Sequence, residues 1–188
     1  MTQRDEGIEK TLLRAIASDR KCLVPYITGG FDGYLEAISA AAEAGADAIE
    51  IGIPFSDPVM DGPTIQKAND LVLSAGVTPA QIIDEVASLD VDVPLAVMTY
   101  YNVVYRFGLQ RLASNLKEAR ISGVILPDLP LVEAGSWQEA STSAKREAIL
   151  LAAPTTTETH LKRICQETKG FVYAVGLLGI TGARDELA

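Results

Sequence analysis

A closed parallel β/α barrel is the fold this sequence predicts, and three observations predict it. Short apolar, β-rich runs alternate with amphipathic helical stretches; most of the runs start about 25 residues apart, the length of one βα unit; and polar residues suited to chemistry follow several of the runs in turn.

A helical stretch over residues 8–19 opens the pattern. The apolar runs are 22–28, 46–55, 93–99, 123–126, 148–152 and 171–175. Helix formers fill 35–44, 109–119, 136–145 and 158–168 between them. The wider gap after the second run holds two such stretches, 64–74 and 79–89, with Gly76 and Pro79 between them. Runs that are apolar on both faces belong to a parallel sheet covered by helices. Nothing reads as a linker, so residues 1–188 form one α/β domain.

An open doubly wound sheet shares this alternation. The barrel is favoured because Thr28, Glu50, Tyr100, Asp128 and Thr181 fall in or after successive runs, as when all strand ends converge on one mouth. No Gly-x-Gly-x-x-Gly turn follows the first run, which argues against a dinucleotide-binding sheet. A complete (β/α)8 TIM barrel has eight strands and typically ~250 residues. The expectation is therefore a single partial barrel, with about six of the eight βα units present and the last two missing, truncated at its C-terminal end.

The chain is 48% hydrophobic with a mean hydropathy of +0.18, enough for a sizeable core. No apolar run approaches the ~18 residues that span a membrane, and the polar start lacks a secretory signal, so a cytoplasmic location is expected. A net charge of −9 without a basic cluster disfavours nucleic acid as a partner. It leaves open a small phosphorylated metabolite, which needs only local backbone N–H groups. Cys22 and Cys165 stand far apart with no metal-like spacing and read as two reduced thiols.

Elimination narrows the chemistry. The only histidine, His160, falls at the start of a predicted helix and reads as a surface residue, so a Ser-His or Cys-His pair is disfavoured. Ligands for a metal are too few. No lysine lies in or at the end of a predicted strand, which leaves a Schiff-base mechanism without support. Carboxylates, hydroxyls and backbone dipoles remain.

Glu50 stands in Asp-Ala-Ile-Glu-Ile-Gly-Ile-Pro-Phe, residues 47–55. Side chains alternate along a strand, so Ile49, Ile51 and Ile53 share the helix-covered face, while Ala48, Glu50 and Gly52 line the interior. A carboxylate in such a setting is partly desolvated, which raises its pKa toward values useful for proton transfer near neutrality. It reads equally as a structural Glu paired with an Arg. Asp61 precedes Gly62-Pro63 and a helix, so turn or capping chemistry competes with catalysis there. Asp128, in Leu-Pro-Asp-Leu-Pro, is placed as well for support as for substrate contact. Tyr26, Tyr100 and Tyr173 fall near strand ends and suit either a pocket wall or the core. Gly-Ile-Thr-Gly over 179–182 is a short motif for a phosphate loop or a lid.

Residues 50–66, Glu-Ile-Gly-Ile-Pro-Phe-Ser-Asp-Pro-Val-Met-Asp-Gly-Pro-Thr-Ile-Gln, closely resemble the signature of the α subunit of tryptophan synthase. The resemblance runs through Leu-Val-Pro-Tyr-Ile-Thr-Gly-Gly (23–30), Met-Thr-Tyr-Tyr-Asn (98–102), Leu-Pro-Asp-Leu-Pro (126–130) and Gly-Ile-Thr-Gly (179–182). It implies retro-aldol cleavage of indole-3-glycerol phosphate to indole and glyceraldehyde 3-phosphate, in tryptophan biosynthesis, with no metal and no organic cofactor in this chain. Glu50 then matches the acid/base acting at indole C3 and the glycerol hydroxyl. Asp61 matches the group that holds the indole N–H. Tyr26, Tyr100, Asp128 and Tyr173 match pocket or support positions, Thr181 the mobile loop, and Gly182 a phosphate-contacting backbone position. Asp57 and Pro58 match the loop that meets a β subunit, which carries pyridoxal phosphate and forms an α2β2 heterotetramer.

Gly176-Leu-Leu departs from the more polar residues that many members of the family carry there. The expected activity of these 188 residues alone is weak or absent, because most of the phosphate site belongs to the two missing units. The competing reading is a non-catalytic subunit that activates a partner through its loops; another phosphate-handling isomerase or epimerase is more distant.

Overall fold

The computed structural model describes residues 3–176. Strands β1 (Tyr26–Thr28), β2 (Ile49–Gly52), β3 (Leu95–Met98), β4 (Gly123–Ile125), β5 (Glu147–Ala152) and β6 (Val172–Ala174) pair in chain order, every pair parallel. Each of the first five is followed by helix: α3 (Tyr34–Glu43), then α4 (Pro63–Ser74) and α5 (Pro79–Ala87), then α6 (Tyr101–Phe107) and α7 (Leu109–Glu118), then α8 (Gly135–Ser143), then α9 (Glu158–Glu167). Among the described residues, β1 and β6 are the two edges of the sheet.

The expected strands are present but several are shorter than their apolar runs. Pro25 and Pro54 carry no N–H, so regular pairing stops beside them. Leu23, inside the first expected strand, is exposed. Extended chain still bonds beyond the strand ends: Asp47 N donates to Leu23 O at 2.9 Å and Ile53 N to Met98 O at 2.8 Å.

The alternation in β2 holds. Ile49, Ile51 and Ile53 pack under the helices with Ile82, Val86 and Leu95. Ala48 faces the other way, into a smaller cluster with Ala96, Ile125 and Ile149. Ile8 and Leu12, from the N-terminal helix α2 (Ile8–Ala17), complete that cluster from below. Gly123 makes room for them: a methyl built on it would stand 2.8 Å from Ile8 Cδ1.

Two charged residues fasten this plug. Arg4, in the short helix α1 (Gln3–Glu6), is 2% exposed. Its guanidinium donates to the carbonyls of Val86 (3.2 Å) and Leu89 (2.6 Å) at the end of α5, and of Ala119 (3.0 Å) and Arg120 (3.3 Å) at the end of α7. A cation there satisfies carbonyls that a helix end leaves unpaired. At the start of β5, Glu147 accepts from Ile8 N and Glu9 N, both at 2.9 Å, and so caps α2.

Candidate active site

Parallel register brings Tyr26 of β1 level with Glu50 of β2, and Glu50 level with Ala96 of β3. All three therefore share one face of the sheet, the barrel interior. Glu50 is 4% exposed, and its Oε1 has no hydrogen-bond partner among the described residues. Burial among Ala48, Ala96 and Gly52 removes water without supplying a donor, and this desolvation, with the nearby charge of Asp61, raises the Glu50 carboxyl to about 7. No arginine pairs with it among the described residues, so the structural reading of Glu50 loses its ion pair.

Asp61 is also buried, immediately ahead of the Gly62 N-cap of α4. Its environment differs from that of Glu50. Asn69 Nδ2 donates to Asp61 Oδ2 at 3.1 Å, and the Tyr100 hydroxyl lies near the carboxylate. Desolvation raises its carboxyl above the usual value, against the pull of these two neighbours. Gln66 Nε2 donates to the Asp61 carbonyl at 2.7 Å and closes the turn. The capping alternative for Asp61 is not what the structure shows: the carboxylate points to a side chain eight residues on, and no side chain caps α4.

The tyrosines divide. Tyr26 and Tyr173 both feel the charges of Glu50 and Asp61, and burial pushes both phenols up. Tyr26 lies flat across β2, where a methyl at Gly52 would stand 1.9 Å from Tyr26 Oη and 2.5 Å from Cζ. Tyr100 instead serves the loop. Its hydroxyl accepts from Met60 N at 3.1 Å, its ring meets Phe55 with centroids 5.1 Å apart, and burial pushes the phenol to about 12.

Asp128 is exposed, and both of its carboxylate oxygens accept from Tyr101 N, at 2.9 and 3.0 Å. It thus caps α6, an element absent from the sequence-based expectation, and fixes the segment that carries Tyr100. Asp57 and Pro58 sit in the exposed loop after β2, with Asp57 accepting from Ser56 Oγ at 2.5 Å. Thr181 and Gly182 lie outside the described residues. His160 is exposed, as expected. Asn69 and Gln66 went unrecognised as site residues. The available signal for Asn69 was an amide placed one turn from both Ile65 and Val72, on the face of α4 that turns inward.

Among the described residues, no His, Cys, Asp and Glu side chains gather as a metal-holding group, and no helix is long and apolar enough to cross a membrane. The arrangement is two buried carboxylates of unequal surroundings, with Tyr26 and Tyr173 near enough to feel the charge of both. One has an oxygen without a donor among the described residues and a pKa raised to about 7. The other is held by Asn69.

The comparisons with known proteins agree on one family. A profile of the tryptophan synthase alpha chain matches residues 12–188. The tryptophan synthase alpha chain of Methanosarcina mazei is 45% identical over 169 residues, covering 88% of this chain and 62% of the relative. That of Streptomyces avermitilis is 40% identical over 187 residues, covering 97% and 68%. A Mycobacterium tuberculosis tryptophan synthase structure superposes with a TM-score of 0.88 at 36% identity, covering 95% of this chain and 71% of that one. The alpha subunit structure from Legionella pneumophila gives 0.83 at 33% identity, covering 93% and 68%. The chain thus spans somewhat under two thirds of the first of these relatives, with the parallel strands of a TIM barrel. It belongs to the tryptophan synthase alpha chain family.

Proposed function

We propose that this chain carries the retro-aldol chemistry of its family, cleaving indole-3-glycerol phosphate to indole and glyceraldehyde 3-phosphate. The observation that carries the reading is the inequality of the two buried carboxylates. Glu50, raised to about 7, holds a proton it can deliver at neutral pH. Protonating indole C3 turns the ring into an electron sink. As Glu50 then takes the glycerol hydroxyl proton, the C–C bond breaks, its electrons return to the ring, and an aldehyde is left. Asp61, held by Asn69, offers a carboxylate to the indole N–H and stabilises the positive charge that develops there. Tyr26 and Tyr173 would flank the indole plane. Thr181 and Gly182 are proposed for loop closure and phosphate contact.

A β subunit carrying pyridoxal phosphate, in an α2β2 assembly, is the proposed partner. Its docking surface is the rim around Asp57 and Pro58. Val59, Tyr105 and Val132 are 63%, 68% and 70% exposed, in segments that follow β2, β3 and β4 in turn. Exposed apolar side chains that all follow strand ends of one parallel sheet suit an interaction surface at that end of it. The unpaired thiols of Cys22 and Cys165 suit the proposed cytoplasmic setting.

The direct test is indole release from indole-3-glycerol phosphate by the chain, with and without the β subunit, against Glu50→Gln. Release that the substitution abolishes supports the lyase. Activation of the β subunit by a chain that releases no indole would instead make it a non-catalytic partner.

A further inference from the structure

Asn69 stands in the middle of α4, on the buried face with Val72, and is 2% exposed. An amide in such a place costs free energy unless both its ends are paired. Here only one end is. Nδ2 donates to Asp61 Oδ2 at 3.1 Å, while Oδ1 is buried with no partner among the described residues. An apolar side chain of similar size would fill the same space without the unpaired carbonyl, so core packing does not explain the amide. Its one bond accounts for it, and that bond goes to a proposed reacting group.

The bond is part of a clamp built from three places in the chain. Gln66, one turn earlier in α4, holds the Asp61 carbonyl at 2.7 Å. Tyr100, at the N-cap of α6, accepts from Met60 N at 3.1 Å and so holds the chain just ahead of Asp61. Backbone and side chain of Asp61 are thus fixed independently. The Asp61 carboxylate has a donor in Asn69, whereas Glu50, with an unpartnered Oε1, does not share that restraint.

We infer that Asn69 is a positioning residue for Asp61, holding its carboxylate from α4 while Tyr100 holds the preceding residue, Met60, from the start of α6. An amide N–H aimed at the carboxylate favours its ionised form and so opposes the desolvation it suffers. The consequence is a division of labour: Asn69 helps to keep Asp61 as the charged partner, and that charge in turn helps Glu50 to keep its proton. The catalytic meaning of this division rests on the lyase reading above. The placement of Asn69 does not, and it is tested without turnover.

The experiment is a carbon-13 NMR titration of the aspartate carboxyls in the 188-residue chain, with Asp61→Asn to assign the signal. In Asn69→Leu, which keeps the volume and removes the donor, the Asp61 midpoint moves to higher pH by about tenfold in proton affinity. The other aspartates stay where they are. An Asp61 midpoint unmoved in a variant with a native circular dichroism spectrum overturns the proposal. Should Asn69→Leu not fold, Asn69→Asp replaces it. A second carboxylate at that distance must give the pair two separated titration steps, and an unchanged single step for Asp61 overturns the proposal equally. Absence of lyase activity in the unsubstituted chain would sink the functional reading while leaving this result standing.

Discussion

Tyr26 occupies the space that a side chain at position 52 would need: the phenol of β1 lies over the bare Cα of Gly52 on β2, its hydroxyl reaching the interior face just above Glu50. Position 52 is therefore not free to gain a side chain while Tyr26 stays in place. Gly52→Ala should force the ring off its rotamer and destabilise the chain by about 1–3 kcal/mol. Combined with Tyr26→Ala, the same methyl meets open space and its added cost should largely vanish. Urea melts of the two single variants and the double variant measure the coupling; strictly additive effects would contradict the contact.

The pH dependence of stability follows from Glu50. Its carboxyl is raised in the folded chain, to about 7, from an ordinary value of 4.5. Below the ordinary value both states are protonated and folding carries no penalty from this group. As pH rises through 7 the folded chain must ionise a buried group, and up to roughly 3 kcal/mol of stability is lost. Glu50→Gln escapes that penalty. The variant should match the unsubstituted chain near pH 4 and exceed it at pH 8 by a few kcal/mol, as read by denaturant melts across that range. A difference independent of pH would show that Glu50 is not buried as described.

The same titration shapes catalysis. If protonated Glu50 delivers the proton to carbon, kcat/KM for indole release should fall as pH rises through about 7, the pKa that burial and the charge of Asp61 give it. Asp61→Asn removes that neighbouring charge, so the descending limb should move to lower pH. An unshifted limb would separate the two carboxylates.

Asp128 acts on the site at one remove. Asp128→Ala removes both bonds to Tyr101 N and should cost about 1 kcal/mol of stability, the usual worth of a helix cap. Loosening α6 also loosens Tyr100, so activity should fall modestly, with KM rising more than kcat falls. A loss as large as that in Glu50→Gln would mean that Asp128 itself touches the substrate.

Arg4 ties the ends of α5 and α7 together through four hydrogen bonds. Arg4→Met leaves the carbonyls at the ends of α5 and α7 without their donor and should cost about 3 kcal/mol or more. Thermal melts of the variant check this; a Tm shift of less than about 2 °C would show that water replaces the guanidinium without loss.

Much of this was legible in the sequence because strand periodicity is local. The order Ile49, Glu50, Ile51, Gly52 specifies which side chains meet the helices and which meet the interior, and the structure keeps that division. The alternation of runs and helices likewise foretold the parallel sheet. Less legible was whatever depends on contacts between distant segments. α6 escaped notice because Tyr101, Val103, Val104 and Tyr105 suit a strand as well as a helix; it is held by a cap from Asp128, 27 residues away. Arg4 reads as a surface cation until two helix ends are brought to it. Asn69 reads as one polar residue among several in α4, and only the fold shows Asp61 beside it.

The plug of Ile8 and Leu12 beneath Ala48, Ala96 and Ile149 has a last consequence for the traffic of protons. Hydrocarbon packs that side of the sheet, and the polar groups met there, Glu147 and Thr11, are already engaged with the chain of α2. Water therefore finds little to bind beneath Glu50, which is 4% exposed. On the lyase reading, the proton that Glu50 gives to carbon and the proton it takes from the hydroxyl would pass through the same poorly hydrated carboxyl. Ile8→Ala, by opening a cavity in that packing, should let water nearer to Glu50 and lower its pKa.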